Sequence, residues 1–165
     1  MATRKKTKKT KTANRRAKAA RKNPARRSAA KTARTRTTSR GLQLTSTASS
    51  LTVNDLAQSL AWYCDVLGFT VKERWEHEGA LLGVELRAGR VTVYLNADDW
   101  QKGRDRVKGE GFRIYYSTDQ DIDQLAAGIK ARGGTLATEP RDEWGARSFN
   151  LEDPTGYRIT ISSAR

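Results

Sequence analysis

Chemistry in this chain has few side chains to draw on. Across 165 residues there is one histidine, His77, and one cysteine, Cys64. His77 stands between Glu76 and Glu78, a grouping that offers acid–base chemistry, although an exposed hairpin histidine is the plainer reading. Cys64 falls in an apolar helix-patterned stretch, where a thiol packs as a small hydrophobe rather than acting as a nucleophile. A lone cysteine excludes an internal disulfide and suits a reducing compartment. Two carboxylates and water can hold Mg²⁺, for which Glu85 with Glu73 or Glu76 is conceivable. Solvated carboxylates at strand edges are the more ordinary reading of these residues. Gly103, Gly109 and Gly111 lack the strand-to-helix setting of a phosphate loop. Aromatic residues remain. Trp75, Tyr94, Trp100, Tyr116 and Trp144 fall on strands, strand ends or loops, where rings wall a pocket for a flat or sugar-bearing molecule. Glu85, Asn96 and Arg147 are the polar groups that would orient it. Packing or subunit contact is the plainer use of each ring, and Trp62 reads as helix core.

The elements that would position these residues come in two copies, offset by 66 residues. Asp55-Leu-Ala-Gln58 matches Asp121-Ile-Asp-Gln124, and each is an Asp N-cap with Gln three residues on, a capping-box signal. Thirteen residues past each Asp stands a glycine, Gly68 or Gly134, where a C-terminal cap is expected. Between them Leu56, Leu60, Tyr63 and Leu67 share a helical face, as do Ile122, Leu125 or Ala126, and Ile129. Val91, Val93 and Leu95 alternate with Thr92, Tyr94 and Asn96, a half-buried strand. The same offset relates Gly79 to Gly145, Val93 to Ile159 and Leu95 to Ile161, while Phe149 and Leu151 fall one residue out from Leu82 and Val84. The pattern predicts strand, helix and three strands twice over. The first copy covers about 48–53, 55–67, 69–77, 81–87 and 91–96. The second covers about 112–118, 121–132, 135–139, 146–151 and 157–162. The polar, glycine-bearing stretch Asp98–Gly111 links modules at about 47–99 and 111–165.

These residues resemble a known family. Leu51-Thr-Val-Asn-Asp-Leu-Ala-Gln-Ser-Leu-Ala-Trp-Tyr-Cys-Asp-Val-Leu-Gly-Phe69 is similar to the opening strand and helix of the vicinal-oxygen-chelate superfamily. That superfamily includes glyoxalases, bleomycin-resistance proteins and extradiol dioxygenases. Trp144-Gly145 with Asp153-Pro-Thr-Gly-Tyr157 resembles its closing strands and their Asp-Pro-x-Gly turn. The likeness spans roughly residues 47–165. It implies an α+β fold of two βαβββ modules, each curling a sheet around a cavity that a homodimer often completes. Family enzymes hold a divalent metal by His, Glu or Gln from the first and last strand of each module, a Lewis acid for two neighbouring substrate oxygens. Mapped by motif and offset, those positions hold Ala48, Tyr94, Ile114 and Thr160. None is an ordinary ligand, and a shift of one residue, to Arg113 or Tyr115 for example, brings in none. The resemblance therefore implies a cavity with neither metal nor cofactor, like that of the bleomycin-resistance proteins, which sequester a drug between subunits. Tyr116 is expected on the same side as Ile114.

The first 46 residues differ in kind. Of the chain's 32 lysines and arginines, 17 fall in residues 1–40 with no acid among them, so residues 41–165 carry 15 bases against 18 acids, net −3. Arg4, Lys5, Lys6, Lys8, Lys9, Lys11, Arg15, Arg16, Arg26 and Arg27 stand among Thr, Ala and Ser. No Val, Ile, Phe, Tyr or Trp occurs there. Such a segment buries too little apolar area to offset its ordering entropy and is expected to be disordered. Its charge suits DNA or RNA through counterion release, and without aromatics or a recognition helix it would read no bases. In composition it resembles linker-histone tails. A solubility tail or a targeting peptide are the other readings. With no apolar run of membrane length, the chain is expected to be cytoplasmic, in association with the nucleoid if the tail binds DNA.

Three functions fit. One is a non-catalytic small-molecule binder tethered to nucleic acid by its tail. Another is an enzyme, glyoxalase- or dioxygenase-like, with an atypical site near His77. The third is a nucleoid-associated structural protein whose core only dimerises, so that two tails bridge DNA.

Overall fold

A computed structural model describes residues 42 and 45–164; the basic segment and its expected disorder lie outside them. Each module runs strand, helix and three strands. The first comprises β1 (Ala48–Val53), α1 (Leu56–Ala61), β2 (Thr70–His77), β3 (Ala80–Ala88) and β4 (Val91–Ala97). The second comprises β5 (Arg113–Ser117), α2 (Ile122–Ala131), β6 (Leu136–Glu143), β7 (Ala146–Glu152) and β8 (Arg158–Ala164). The sheets repeat one order, β1-β4-β3-β2 and β5-β8-β7-β6, with the first strand parallel to the last and the other pairs antiparallel. The architecture is the expected α+β pairing of βαβββ modules.

Local chemistry sets the helix ends. The Asp55 and Asp121 carboxylates accept from the N–H of Gln58 at 2.9 Å and of Gln124 at 2.8 Å, satisfying donors that a helix start leaves open. After Ala61 the first helix continues as a single π turn, Trp62–Val66. This wider turn seats Tyr63 edge-on to Trp62 and Phe69, at 5.1 and 5.6 Å between centroids. Its buried stripe is Leu56, Ser59, Tyr63 and Val66, with Leu60 and Leu67 only half-buried, so the helical face is rotated from the one expected. Of the two cap glycines, Gly68 has the left-handed φ of 81°, but in the second module that role passes from Gly134 to Gly133, at 86°. Strand β6 also outruns its predicted end at residue 139. Pro140 signals a stop, yet β6 is an edge strand, and the register shift between Thr138 and Arg141 absorbs the missing N–H.

One face of each sheet is apolar and carries the helix. Leu51, Val53, Val84, Leu86, Val93 and Leu95 point inward from the first sheet; Ile114, Phe149, Leu151, Ile159 and Ile161 do so from the second, all 7% exposed or less. Pairing fixes the equivalences. Val84 faces Leu95 as Phe149 faces Ile161, and Ala48 faces Thr92 as Arg113 faces Arg158. The helix N-caps and the last strands are thus offset by 66 residues, but the C-cap glycines and the first and third strands by 65. Phe149 and Leu151 accordingly answer to Val84 and Leu86. One residue is gained between β5 and α2, lost again across the helix, where only the first module has the π turn, and regained in the Asp153–Tyr157 turn.

That turn joins the modules. Asp153, 4% exposed, accepts on Oδ1 from the N–H groups of Thr155, Gly156 and Tyr157 at 2.8–2.9 Å, and on Oδ2 from the Tyr63 hydroxyl at 3.3 Å. The Tyr157 hydroxyl donates to the Thr52 carbonyl, and the Asn54 N–H donates to Thr155 Oγ1. On the far side of α2, Gly134 presses against the first module. A Cβ there would lie 2.6 Å from Val66 Cγ1 and 2.5 Å from Ile129 Cγ2. Gly134→Ala is expected to cost about 2 kcal/mol by overpacking, read as a lowered urea midpoint with unchanged slope. Gly133→Ala loses stability through its backbone conformation instead.

Candidate functional site

The faces opposite the helices are where ligands would meet the protein. On the first sheet this open face carries Ala48, Ser50, Glu73, Trp75, Glu85, Tyr94 and Asn96, by strand alternation and register. Trp75 stacks obliquely on Tyr94, 5.7 Å between centroids, with Glu85 directly opposite Tyr94 on the neighbouring strand. Gly83 makes this possible, because a Cβ there would meet the Trp75 ring at 3.1 Å and Asn96 Oδ1 at 3.2 Å. Asn96 is held by Nδ2 donation to Ser50 Oγ at 3.0 Å. Four of the eight residues expected to bind a ligand, Trp75, Glu85, Tyr94 and Asn96, therefore share one surface.

The open face of the second sheet is a cavity of about 440 Å³, lined by Arg113, Tyr115, Arg141, Glu143, Trp144, Ala146, Ser148, Asn150, Thr160 and Ser162. Trp144 stands at the β6–β7 turn with φ 52° and its ring fully in solvent, and Tyr115 is 71% exposed. Rings held out in this way offer stacking surface to an incoming molecule. At the cavity floor, Arg113 Nη1 donates to Asn150 Oδ1 at 3.1 Å and to Thr160 Oγ1 at 3.0 Å. Thr160 donates in turn to Asn150 Oδ1 at 2.6 Å, and Asn150 Nδ2 donates to Thr138 Oγ1 at 3.0 Å.

Three expected residues lie elsewhere. Tyr116 does share a face with Ile114, but it is the helix-bearing one; its ring sits 6.0 Å from Phe69 in a separate pocket of about 590 Å³ with Leu125 and Ile129. Burial and the nearby Asp153 push its phenol pKa up. Arg147 also lies off the open face, paired with Asp123 and, at 3.4 Å, with Asp142. Trp100 belongs to the linker, with the cations of Arg104 and Lys108 each 4.8 Å from its ring centre. There the Lys108 ammonium, the Trp100 N–H and Arg106 hold the Asp98 carboxyl at about 2. This cage straps the linker, with Arg106 and Lys108 bordering a further pocket of about 340 Å³ beside Glu152 and Arg158.

The positions equivalent to the family's metal ligands need one correction. Ala48 and Tyr94 are on the open face, and so is Thr160, but Ile114 is 5% exposed within the core. The offset of 65 in the first strands makes Arg113 the true counterpart of Ala48. Alanine, tyrosine, arginine and threonine do not form a ligand set for a divalent cation. Among the described residues no group of three or more His, Cys, Asp or Glu could hold one. His77 is exposed at the end of β2, 3.8 Å from Glu78. Half-buried Cys64 sits in the π turn, its thiol pKa raised by burial.

A two-module α+β chain with these open-faced sheets belongs to the glyoxalase/bleomycin resistance protein/dioxygenase superfamily, whose model matches residues 42–161. Solved structures of the same fold include the virulence protein STM3117 from Salmonella typhimurium, at 20% identity and TM-score 0.58, covering 75% of this chain and 100% of that one. TnmS3, an antibiotic binding protein from Streptomyces sp. CB03234, is 18% identical with TM-score 0.58, covering 75% of this chain and 100% of its own. A glyoxalase/bleomycin resistance protein/dioxygenase from Nocardioides is 18% identical with TM-score 0.58, covering 74% and 86%. At these identities the likeness is one of fold. No curated protein matches the chain. Among the described residues, no helix is long and apolar enough to cross a membrane.

Proposed function

We propose that this protein binds a small molecule on its open sheet faces without transforming it, as a homodimer, while its basic N-terminal segment associates with DNA or RNA. One observation carries the reading. The strand positions that would ligate a metal hold Ala48, Tyr94, Arg113 and Thr160, while the faces around them keep exposed rings and fixed polar groups. A cavity of about 440 Å³ is of a size that suits small ligands. A second copy of the chain, laying one open sheet on the other, would enclose such a ligand between Trp75 and Tyr94 on one side and Trp144 and Tyr115 on the other. The antibiotic-binding role printed for TnmS3 supports a sequestering use of this fold.

Thermal shift against a panel of aromatic natural products tests the reading. A true ligand at 100 times its Kd is expected to stabilise the fold by about 2.7 kcal/mol. Tyr94→Ala is expected to weaken that ligand about tenfold through lost stacking. Unchanged affinity in a folded Tyr94→Ala protein would remove the first sheet from the site. An activity abolished by His77→Ala in a folded protein would instead make the chain an enzyme.

A further inference from the structure

The geometry points to an anion-binding centre on the second sheet, in which the Arg113 guanidinium holds a carboxylate or similar paired-oxygen anion of a flat aromatic ligand. This deepens the small-molecule reading and rests on it.

Three observations converge. First, Arg113 occupies the first-strand position where the family would place a metal ligand, so a fixed cation stands in the cavity. Second, that cation is aimed but not neutralised. Its Nη1 is held by two neutral acceptors, Asn150 Oδ1 and Thr160 Oγ1, themselves locked by the Thr160–Asn150 and Asn150–Thr138 bonds. The guanidinium makes no ion pair among the described residues, and the cavity's one carboxylate, Glu143, is engaged by Arg141 at 3.0 Å. The remaining donors of the fork keep the geometry that grips two oxygens of one anion. Third, Arg158, the register partner of Arg113, adds a second cation to this face beyond the cavity lining, with Glu152 opposite it on β7. Trp144 and Tyr115 supply the stacking surface beside this centre, which favours an aromatic body for the anion. Although residues 41–165 together are net acidic, this cavity is locally positive.

Equilibrium dialysis of the full chain with 2-naphthoate and with 2-naphthamide tests the proposal, since the two probes share a ring system and differ in charge. The acid is expected to bind about tenfold or more tightly than the amide, and Arg113→Met to abolish that preference while leaving amide affinity within about twofold. Arg113→Lys, a point charge without the fork, is expected to restore part of it. Equal binding of acid and amide overturns the anion centre but leaves the small-molecule reading standing. A preference that survives Arg113→Met overturns it as well, and leaves the charge effect to Arg141, Arg158 or the N-terminal segment. Loss of the dimer in Arg113→Met with the preference unchanged would show that Arg113 serves contact between copies. Binding of neither probe overturns the centre and counts against the ligand-binding reading too.

Discussion

The affinity of the full chain for duplex DNA is expected to fall by about a thousandfold or more between 50 and 200 mM salt, and to be insensitive to DNA sequence. The cause is electrostatic. Seventeen basic residues and no acids lie in residues 1–40, and releasing counterions from even six to ten phosphates produces a drop of that order. Deleting residues 1–45 should abolish binding, because residues 41–165 are net −3 and would be repelled by phosphate. Fluorescence anisotropy with two unrelated duplexes at several salt concentrations measures both effects. Binding that persists after the deletion would place the nucleic-acid surface on the folded unit. A shallow salt slope would point to contacts other than phosphate neutralisation.

Asp153→Ala should be the most damaging single substitution in the folded unit, at about 4 kcal/mol, since bonds to a charged acceptor contribute about 1.5–3 kcal/mol each and are not additive. The side chain gathers three backbone N–H groups of its own turn and the hydroxyl of Tyr63, and all are left without an acceptor when it is removed. Because Tyr63 belongs to the other module, the damage reaches the junction as well as the turn. Asp153→Asn keeps Oδ1 for the three N–H groups and is expected to cost far less. The pair also separates in pH dependence. Burial raises the Asp153 carboxyl above its ordinary value, with the N–H bonds and Tyr63 opposing. A carboxyl raised in the folded state contributes stability below its unfolded value of about 3.9 and loses it as pH climbs through the folded value. Urea midpoints of Asp153→Asn should therefore gain on those of the parent from about pH 4 upward. Parallel pH curves would mean that the carboxyl is not perturbed by burial.

Much of the fold could be read from periodicity and caps, because both depend on near neighbours in the chain. The Asp55 and Asp121 caps and the alternation in β4 follow from patterns within ten or so residues, and the duplication from the recurrence of those patterns 66 residues on. What was hidden depended on pairing across the sheet. A single 66-residue offset described the helix starts and last strands, but the extra residue between β5 and α2 moved β5 by one position. A slip of one residue exchanges the two faces of a strand. Hence a single offset puts Ile114 in the cavity in place of Arg113, and Tyr116 with it. Arg147, expected to orient a ligand, instead turns to the helix side, where Asp123 on α2 meets it, a pairing that no local pattern announces. A signal for Arg113 was present in the burial pattern itself. Ile114 and Ile159 are the apolar members of their strands, so their neighbours Arg113 and Arg158 had to face the other way.

Native mass spectrometry of the full chain, purified without chelator and sprayed from ammonium acetate, tests the central claim most directly. The account predicts the mass of two chains with no divalent metal, alone or carrying a small organic adduct. One tightly held divalent metal per chain would contradict it, because Ala48, Tyr94, Arg113 and Thr160 could not then be the residues that define the site.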